Sequence, residues 1–224
     1  MIVVLHIHSD YSACSESHID KIAQYCRQHD IKAIGLTDHD TIEGALRLQK
    51  EALDLKVIVG EEISTSHGEI VGLFLKEKIE PNQDLRETCL EIKKQGGVVY
   101  VPHPFDRLKV NRIRARHLRE ILDLVDVIEI YNSKISLAHY NTRAKRFADK
   151  HHKLGAVGSD SHYVASIGAA LNIMEPFEGP QDFLEKLSRA EFKTGASSLL
   201  STWWVRVRKS VKSKMKSFRG EMFS

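Results

Sequence analysis

The sequence predicts an α/β protein, a closed or nearly closed β/α barrel followed by a basic terminal helix. Short β-branched runs recur along the chain, and amphipathic stretches separate them. Strands that alternate with helices of roughly 10 to 15 residues indicate βαβ units and a parallel sheet. Because about seven such units fit the chain, we expect the sheet to close on itself.

The individual elements follow from this pattern. The predicted strands cover residues 2–8, 33–37, 56–59, 70–75, 98–101, 125–130 and 155–157. The predicted helices cover about 17–29, 41–53, 82–95, 113–123 and 134–151. Asp84 or Asn82 can cap the third helix, and Gly96 with Gly97 can end it. Residues 159–200 are expected to close the barrel.

Composition limits the class of protein. The 224 residues suit one domain, and 42% hydrophobic with 28% charged residues is typical of a globular protein. No run approaches the roughly 18 apolar residues that span a bilayer. The amino terminus lacks the charged segment of a signal peptide. The three cysteines have no paired spacing, which argues against a disulfide framework. We therefore expect a cytoplasmic protein.

The end of the chain differs from the rest in charge. Residues 201–224 contain seven Lys or Arg and one Glu. Apolar residues recur there every three or four positions, which predicts an amphipathic helix over 201–220. We expect two units, a catalytic domain over 1–198 and a basic helix over 199–224. Residues 200–219 could dock on the barrel, bind an anionic membrane surface or bind RNA.

Ligand-type side chains follow five of the predicted strands. They are His6 with His8, His39, Glu62, His103, and Asp160 with His162. In a β/α barrel the carboxyl ends of the strands meet at one rim, where active sites are built. Alternation along the first strand places both of its imidazoles on one face. Nitrogen and oxygen donors converging on this rim fit Zn, Mn or Fe.

Six segments resemble the PHP (polymerase and histidinol phosphatase) family. They are LHIHSDYS, GLTDHDT, VGEEIS, VPHPF, VIEIYNS and GSDSH, so the resemblance covers residues 2 to about 195. Members of this family fold as distorted (β/α)7 barrels and are similar to amidohydrolases. The resemblance therefore implies a PHP-type barrel and a metal-dependent phosphoesterase that binds two to three divalent ions.

The resemblance also implies a division of the ligands among the ions. One ion would take His6, His8, Glu62 and Asp160, a second would share Glu62 and take His103, and a third would take His39 and His162. This sequence departs from the family pattern in two places. Cys14 stands where the family usually offers Asp or His, and a thiolate there could bind zinc or leave the position weakened. Glu69 stands where many relatives have His, with His67 as the alternative ligand.

The implied chemistry is hydrolysis of a phosphoester by a metal-activated water. Glu62 would bridge two ions, and Asp160 or His162 would protonate the leaving group. Asp38 and Asp40 would orient ligands, and Asn132 and Ser133 face the same rim. Arg107, with Lys109 and Arg112, could bind the substrate phosphate. The other interpretation, given equal weight, is that these residues form an ordinary solvated basic loop.

The sequence limits the substrate less closely than it limits the reaction. A nucleotide, a nucleoside bisphosphate or a short RNA is expected, because no inserted lid or polymerase domain is present. The alternatives are a histidinol-phosphate type of phosphatase, a metal-dependent amide hydrolase, and a binding module that retains its metals and is recruited through the basic tail.

Overall fold

The computed structural model describes residues 1–195. The boundary predicted at residue 198 and the helix predicted over 201–220 lie outside the described residues. None of the helices within residues 1–195 is long and apolar enough to cross a membrane.

Seven strands form a closed barrel, and two more extend it. In chain order the strands are β1 Ile2–Ile7, β2 Ile31–His39, β3 Lys56–Thr65, β4 Gly68–Leu73, β5 Val98–Val101, β6 Val127–Asn132, β7 Leu154–Ser161, β8 Ala170–Ile173 and β9 Glu191–Thr194. The order around the barrel is β2-β3-β4-β5-β6-β7-β1, and β1 pairs again with β2 to close it. The predicted seven-stranded barrel is confirmed.

One strand departs from the predicted parallel arrangement. β4 runs antiparallel to both β3 and β5, whereas the other neighbours within the barrel are parallel. Only Ser66 and His67 separate β3 from β4, and such a short connection permits a hairpin but no helical crossover. The prediction of a wholly parallel sheet was wrong at this strand.

Within the described residues, the prediction that residues 159–200 close the barrel holds only for the end of β7, where Ser161 pairs with Ile7 of β1. Closure comes from β1, which pairs with β2 on one side and with β7 on the other. Within 159–195, β8 lies antiparallel to β1, and β9 lies antiparallel to β8. These two strands extend the sheet beyond the barrel.

The first five α-helices follow the predicted order with shorter bounds, and the last α-helix and a 3₁₀ helix were not predicted. They are α1 Ile19–Gln28, α2 Glu43–Glu51, α3 Leu85–Lys94, α4 Ala115–Glu120, α5 Ala138–Lys150 and α6 Gly179–Leu187, with a 3₁₀ helix at Val164–Ala169. Asp84 caps α3 by accepting hydrogen bonds from two backbone amides, and Gly96 follows the helix at φ 76°.

The apolar core has two parts. The larger part lies between the helices and the strand faces turned toward them, and includes Ile34, Leu36, Leu48 and Ile92. The smaller part joins other residues of the barrel strands to α6 and the segment before it. Its members include Val3, Leu5, Ile58, Val71, Val98, Val127, Phe177 and Phe183.

Candidate metal centre

The predicted ligands other than Cys14 and Glu69 lie at or near the carboxyl ends of their strands, and several lie within the strand itself. Glu69 is the second residue of β4, which runs antiparallel to its neighbours. β2 extends through His39, β3 through Glu62 and β7 through Asp160. His6, His103 and Asp160 have φ values of 61°, 29° and 46°, in a region that non-glycine residues rarely occupy. Such backbone conformations persist where the surrounding structure holds them, often at functional sites. The regular alternation predicted for the first strand therefore gives way to an irregular end.

Glu62 lies at the centre of the histidines. Its Oε2 is 3.3 Å from His6 Nε2, 3.2 Å from His8 Nε2 and 3.5 Å from His39 Nδ1. Its Oε1 is 3.0 Å from His103 Nε2. The carboxylate is buried, and so are three of the four imidazoles. One carboxylate thus reaches imidazoles from β1, β2 and the end of β5.

Three groups of ligand atoms are compact enough to hold a cation, with all atoms of a group within 4.8 Å of one another. They are His6 with Glu62 and His103, then His6 with His8 and Asp160, and His8 with Cys14, His39 and His162. The first two contain the residues predicted for two ions, and the last contains those predicted for the third. His8 belongs to the second and third groups and His6 to the first and second, so the three groups are linked through these two residues.

The two alternative ligands, Glu69 on β4 and His67 in the turn before it, have different surroundings. Glu69 is buried, with its Oε1 3.8 Å from His39 Nδ1 and its Oε2 3.9 Å from His103 Nε2. His67 is exposed and stacks on His117, with ring centroids 3.9 Å apart. Glu69 therefore borders the cluster, whereas His67 contacts a helix. Burial, followed by the nearby Glu62, raises the pKa of Glu69 to about 7.

Glu129 contacts His6 at the ring nitrogen that faces away from Glu62. This role was not predicted from the sequence. His6 Nδ1 lies 2.9 Å from Glu129 Oε1, which leaves His6 Nε2 facing Glu62. Glu129 also accepts hydrogen bonds from the Tyr100 hydroxyl, the His103 backbone amide and the Asn132 side chain. A carboxylate behind a ligating imidazole fixes the orientation and tautomer of the ring. A lone Glu within an otherwise apolar strand was the available signal, because a buried charge requires partners.

Gly158 makes room for this arrangement. A Cβ at Gly158 would lie 1.7 Å from Glu129 Oε1 and 3.0 Å from the Tyr100 hydroxyl. A side chain at this point of β7 would therefore displace Glu129.

The two predicted orienting aspartates act through serines. Asp38 accepts a hydrogen bond of 2.6 Å from the Ser12 hydroxyl, and that hydroxyl lies 3.4 Å from His8 Nδ1. Asp40 accepts hydrogen bonds of 2.7 Å and 2.9 Å from the backbone and side chain of Ser64. Asp38 thus supports the loop that carries His8, and Asp40 ties the end of β2 to β3.

Two ammonium groups contact Asp160. Lys109 Nζ forms an ion pair with Asp160 Oδ2. Lys134 Nζ lies 3.2 Å from Asp160 Oδ1 and 3.0 Å from His162 Nδ1. Burial favours the neutral form of Asp160, but Lys109, Lys134 and His6 outweigh it and hold its pKa well below the usual range. A carboxylate kept ionised in this way is suited to bind a cation and is a poor proton donor.

The positions of the predicted basic residues differ from one another. Arg107 is exposed, and no hydrogen bond or ion pair within residues 1–195 joins it to the cluster. Lys109, two residues later, reaches the cluster directly. Lys134 was not predicted, because no strand-end motif marks it and its contact depends on how the chain turns after β6.

The donor set fits divalent cations. His8 Nε2 is buried and makes no hydrogen bond with the described residues, although Glu62 Oε2 and Asp160 Oδ1 lie 3.2 Å and 3.8 Å away. Burial, which outweighs the attraction of Glu62, lowers the pKa of His8 to about 4, so its imidazole is neutral. A neutral nitrogen that faces two carboxylates without a hydrogen bond is suited to coordinate a metal.

Comparison with known proteins finds two sequence relatives in one organism. The chain is 34% identical over 216 residues to the uncharacterized protein MJ0417 of Methanocaldococcus jannaschii, covering 91% of this chain and 87% of that protein. It is 35% identical over 143 residues to the uncharacterized protein MJ1587 of the same organism, covering 58% of this chain and 80% of that protein.

Solved structures share the fold at low sequence identity. PsfC from Pseudomonas syringae has a TM-score of 0.70 at 14% identity, over 94% of this chain and 98% of that one. An amidohydrolase from Chromobacterium violaceum, with bound sulfate and no metal, has a TM-score of 0.62 at 17% identity, over 84% and 97%.

A protein from Bifidobacterium adolescentis, whose assignment as a metal-dependent phosphoesterase is itself an inference, has a TM-score of 0.60 at 15% identity. The match covers 71% of this chain and 87% of that one. Residues 5–168 of this chain match the PHP domain. The barrel and the cluster at its rim agree with this match. Membership of this family supports a metal-dependent hydrolase activity. The chain belongs to the PHP family.

Proposed function

We propose that this protein hydrolyses a phosphoester with two to three divalent ions, Mn, Zn or Fe, held at the barrel rim. The observation that carries the proposal is the position of Glu62. Its two oxygens lie within 3.5 Å of four imidazoles, and two ammonium groups lie at the neighbouring Asp160. Such a site combines cation ligands with fixed positive charges for an anionic substrate.

Nine residues are proposed to hold the ions. They are His6, His8, Cys14, His39, Glu62, Glu69, His103, Asp160 and His162. Bound divalent cations would polarise the phosphoryl oxygens and lower the pKa of water. Glu62 is proposed to bridge two of them, since its two oxygens face different histidines. Glu129 and Asp38 would hold His6 and His8 in place.

The two lysines are proposed to bind the substrate. Lys109 and Lys134 flank Asp160 from two sides, and each could hold an oxygen of the phosphoryl group. Fixed positive charges at the point where negative charge gathers lower the barrier to phosphoryl transfer. A neutral amide carries no charge that requires them, so their presence favours a phosphoester over an amide as substrate.

Two further catalytic roles remain proposals. His162, which Lys134 contacts, is proposed to pass a proton to the leaving oxygen, although burial holds the pKa of its imidazole well below the usual range. The ionised Asp160 is suited to a ligand role. Arg107 would need its loop to move before it reached a substrate at the cluster. Lys109 in the same loop already lies there and is the better candidate for phosphate binding.

The proposed substrate is a nucleotide, a nucleoside bisphosphate or a short RNA. A histidinol-phosphate type of phosphatase is the alternative of the same chemistry, and a metal-retaining binding module is the alternative of another class. A basic tail that contacts RNA or an anionic membrane, and a cytoplasmic location, are parts of the same hypothesis.

The test is a screen of the full-length protein loaded with Mn, Zn or Fe. Phosphate release from nucleotides, a nucleoside bisphosphate and histidinol phosphate is measured beside hydrolysis of a chromogenic phosphodiester and an anilide. We expect hydrolysis of phosphoesters that a chelator abolishes. Hydrolysis of the anilide without any phosphoester would indicate an amide hydrolase, and inactivity towards every substrate would favour the binding module.

A further inference from the structure

Tyr100 of β5 is a buried residue whose side chain carries one polar atom. The residue is 1% exposed, and its ring packs in the smaller part of the apolar core. A tyrosine hydroxyl that is removed from water needs a hydrogen-bond partner, because an unpaired buried hydroxyl costs free energy. The partner here is charged, since the hydroxyl donates a 2.8 Å hydrogen bond to Glu129 Oε1. The polar end of Tyr100 is therefore directed at the carboxylate that contacts His6.

The contacts of Glu129 divide between its two oxygens. Oε2 accepts hydrogen bonds of 2.6 Å from the His103 amide and 2.8 Å from the Asn132 side chain. Oε1 accepts the hydrogen bond from Tyr100 and lies 2.9 Å from His6 Nδ1. An ionised carboxylate has about four acceptor sites, and these contacts use them. Tyr100 therefore holds the same oxygen that faces the imidazole of His6.

Three neighbouring strands fix the position of this hydrogen bond. Tyr100, Glu129 and Gly158 lie on β5, β6 and β7, which are adjacent in the barrel. A Cβ at Gly158 would lie 1.7 Å from Glu129 Oε1 and 3.0 Å from the Tyr100 hydroxyl. The hydroxyl and the carboxylate thus meet beside the one backbone position of β7 that must lack a side chain for them to do so.

The direction of the His6 ring affects two of the three ligand groups, because His6 belongs to both. Its Nε2 lies 3.3 Å from Glu62 Oε2 and 4.0 Å from Asp160 Oδ1. An imidazole is rigid, so the contact at Nδ1 sets the direction in which Nε2 points. A shift of Glu129 Oε1 would therefore change the distance from Nε2 to both carboxylates.

We propose that Tyr100 is a positioning residue of the metal centre. Its hydroxyl holds Glu129 Oε1 against His6 Nδ1, and this contact keeps His6 Nε2 directed at the two carboxylates with which it would share an ion. A hydrogen bond donated to the ionised form also helps to keep the buried carboxylate charged. The inference rests on the proposed function, and it assigns a residue of the apolar interior a part in metal affinity.

The test is Tyr100→Phe, which removes the hydroxyl and keeps the ring. The full-length, metal-free protein is titrated with Mn or Zn by isothermal titration calorimetry. We expect the affinity to fall about 3- to 10-fold, less than the 10- to 100-fold range for a residue that contacts the ligand itself. The control is Tyr140→Phe, which removes the hydroxyl of a largely buried tyrosine of α5 outside the three ligand groups. Its affinity should stay within about twofold of the wild type.

Two further measurements distinguish positioning from packing. Urea denaturation reports stability, and a tyrosine that only packed would lower the stability without changing the metal affinity of the folded protein. In a Glu129→Gln background, Tyr100→Phe should lower the affinity less than about twofold, because the hydroxyl acts through the carboxylate. Wild-type affinity in Tyr100→Phe would overturn the inference, and so would losses that multiply in the double variant.

Phosphate release separates this inference from the proposed function. If the wild type binds Mn or Zn but hydrolyses no phosphoester, while Tyr100→Phe binds the metal more weakly, the function fails and the inference stands. If the wild type hydrolyses phosphoesters and Tyr100→Phe keeps the metal affinity of the wild type, the function stands and the inference fails.

Discussion

The two ends of the barrel are both buried, but they are built from opposite chemistry. The rim carries ionisable groups with almost no solvent contact, among them His6, Glu62 and Asp160. The other end is filled by aromatic rings, with Phe183 5.2 Å from Phe177 and 5.3 Å from Phe74 between centroids. Apolar burial stabilises the fold directly, whereas buried charges cost free energy unless they are paired or bind ions.

This contrast separates stability from activity within one domain. Changes at the aromatic end should lower the free energy of unfolding and leave the chemistry of the folded fraction intact. Changes at the rim should lower the activity and leave the free energy of unfolding nearly unchanged. The boundary between the two lies at Tyr100, which belongs to the apolar interior while its hydroxyl donates to Glu129.

The largest expected effect is at the aromatic end. Phe183→Ala should lower the free energy of unfolding by about 3–5 kcal/mol, because Phe183 is fully buried and its removal leaves a cavity beside the buried Phe177. Urea denaturation measures this, and kcat/KM at low temperature should stay near wild type. Phe192→Ala is the control, since Phe192 is 38% exposed and should cost much less. Lost activity in a stably folded Phe183→Ala would break the separation.

The second-largest expected effect is a loss of turnover caused by a change at the rim. Lys134→Ala should reduce kcat on a phosphoester by roughly 10²- to 10³-fold, as expected when a group that stabilises the transition state is removed. Elemental analysis should show unchanged metal content. Lys150→Ala, an exposed lysine of α5, serves as the control. Metal loss in proportion to activity would show that Lys134 supports Asp160 and does not bind the substrate.

A smaller effect is expected behind the ligands. Glu129→Gln keeps the shape of the side chain but removes the charge beside His6 Nδ1. Metal affinity or activity should fall about 10- to 100-fold, the range for a partner of a metal ligand. Isothermal titration with Mn or Zn measures the affinity. Glu51→Gln, at the last residue of α2 and paired with Arg47, is the control and should leave it unchanged. An unaltered affinity in Glu129→Gln would mean that His6 does not depend on this contact.

The smallest effect concerns the thiols. Burial raises the pKa of Cys26 and of Cys89 to about 12, so both should resist alkylation by iodoacetamide at pH 8. Cys14 is partly exposed and should react first in metal-free protein. If Cys14 is a ligand, Zn should slow its labelling, as peptide mass spectrometry would show. A rate that Zn does not change would remove Cys14 from the ligand set.

Local sequence predicted which side chains meet at the rim, because these residues come at or near the ends of apolar runs that predict strands. His39, Glu62 and His103 come together for this reason, without any knowledge of long-range contacts. Lys134 could not be predicted in the same way. Its contacts with Asp160 and His162 depend on how the chain after β6 folds back over the rim.

The antiparallel β4 and the closure by β1 were missed for a related reason. A strand pattern gives burial and length but not direction, and the turn at Ser66 and His67 contains no strong hairpin signal. Pairing of β1 with both β2 and β7 is a property of the closed sheet and has no local signature.

The central claim is that Glu62 holds the metal centre together, and Glu62→Gln tests it most directly. The change preserves size and removes the charge that faces four imidazoles. Metal per chain by elemental analysis and phosphate release should both be measured on protein shown to be folded by circular dichroism. The account predicts loss of at least one of the roughly two to three ions and loss of phosphate release. A folded Glu62→Gln with wild-type metal content and full turnover would contradict it.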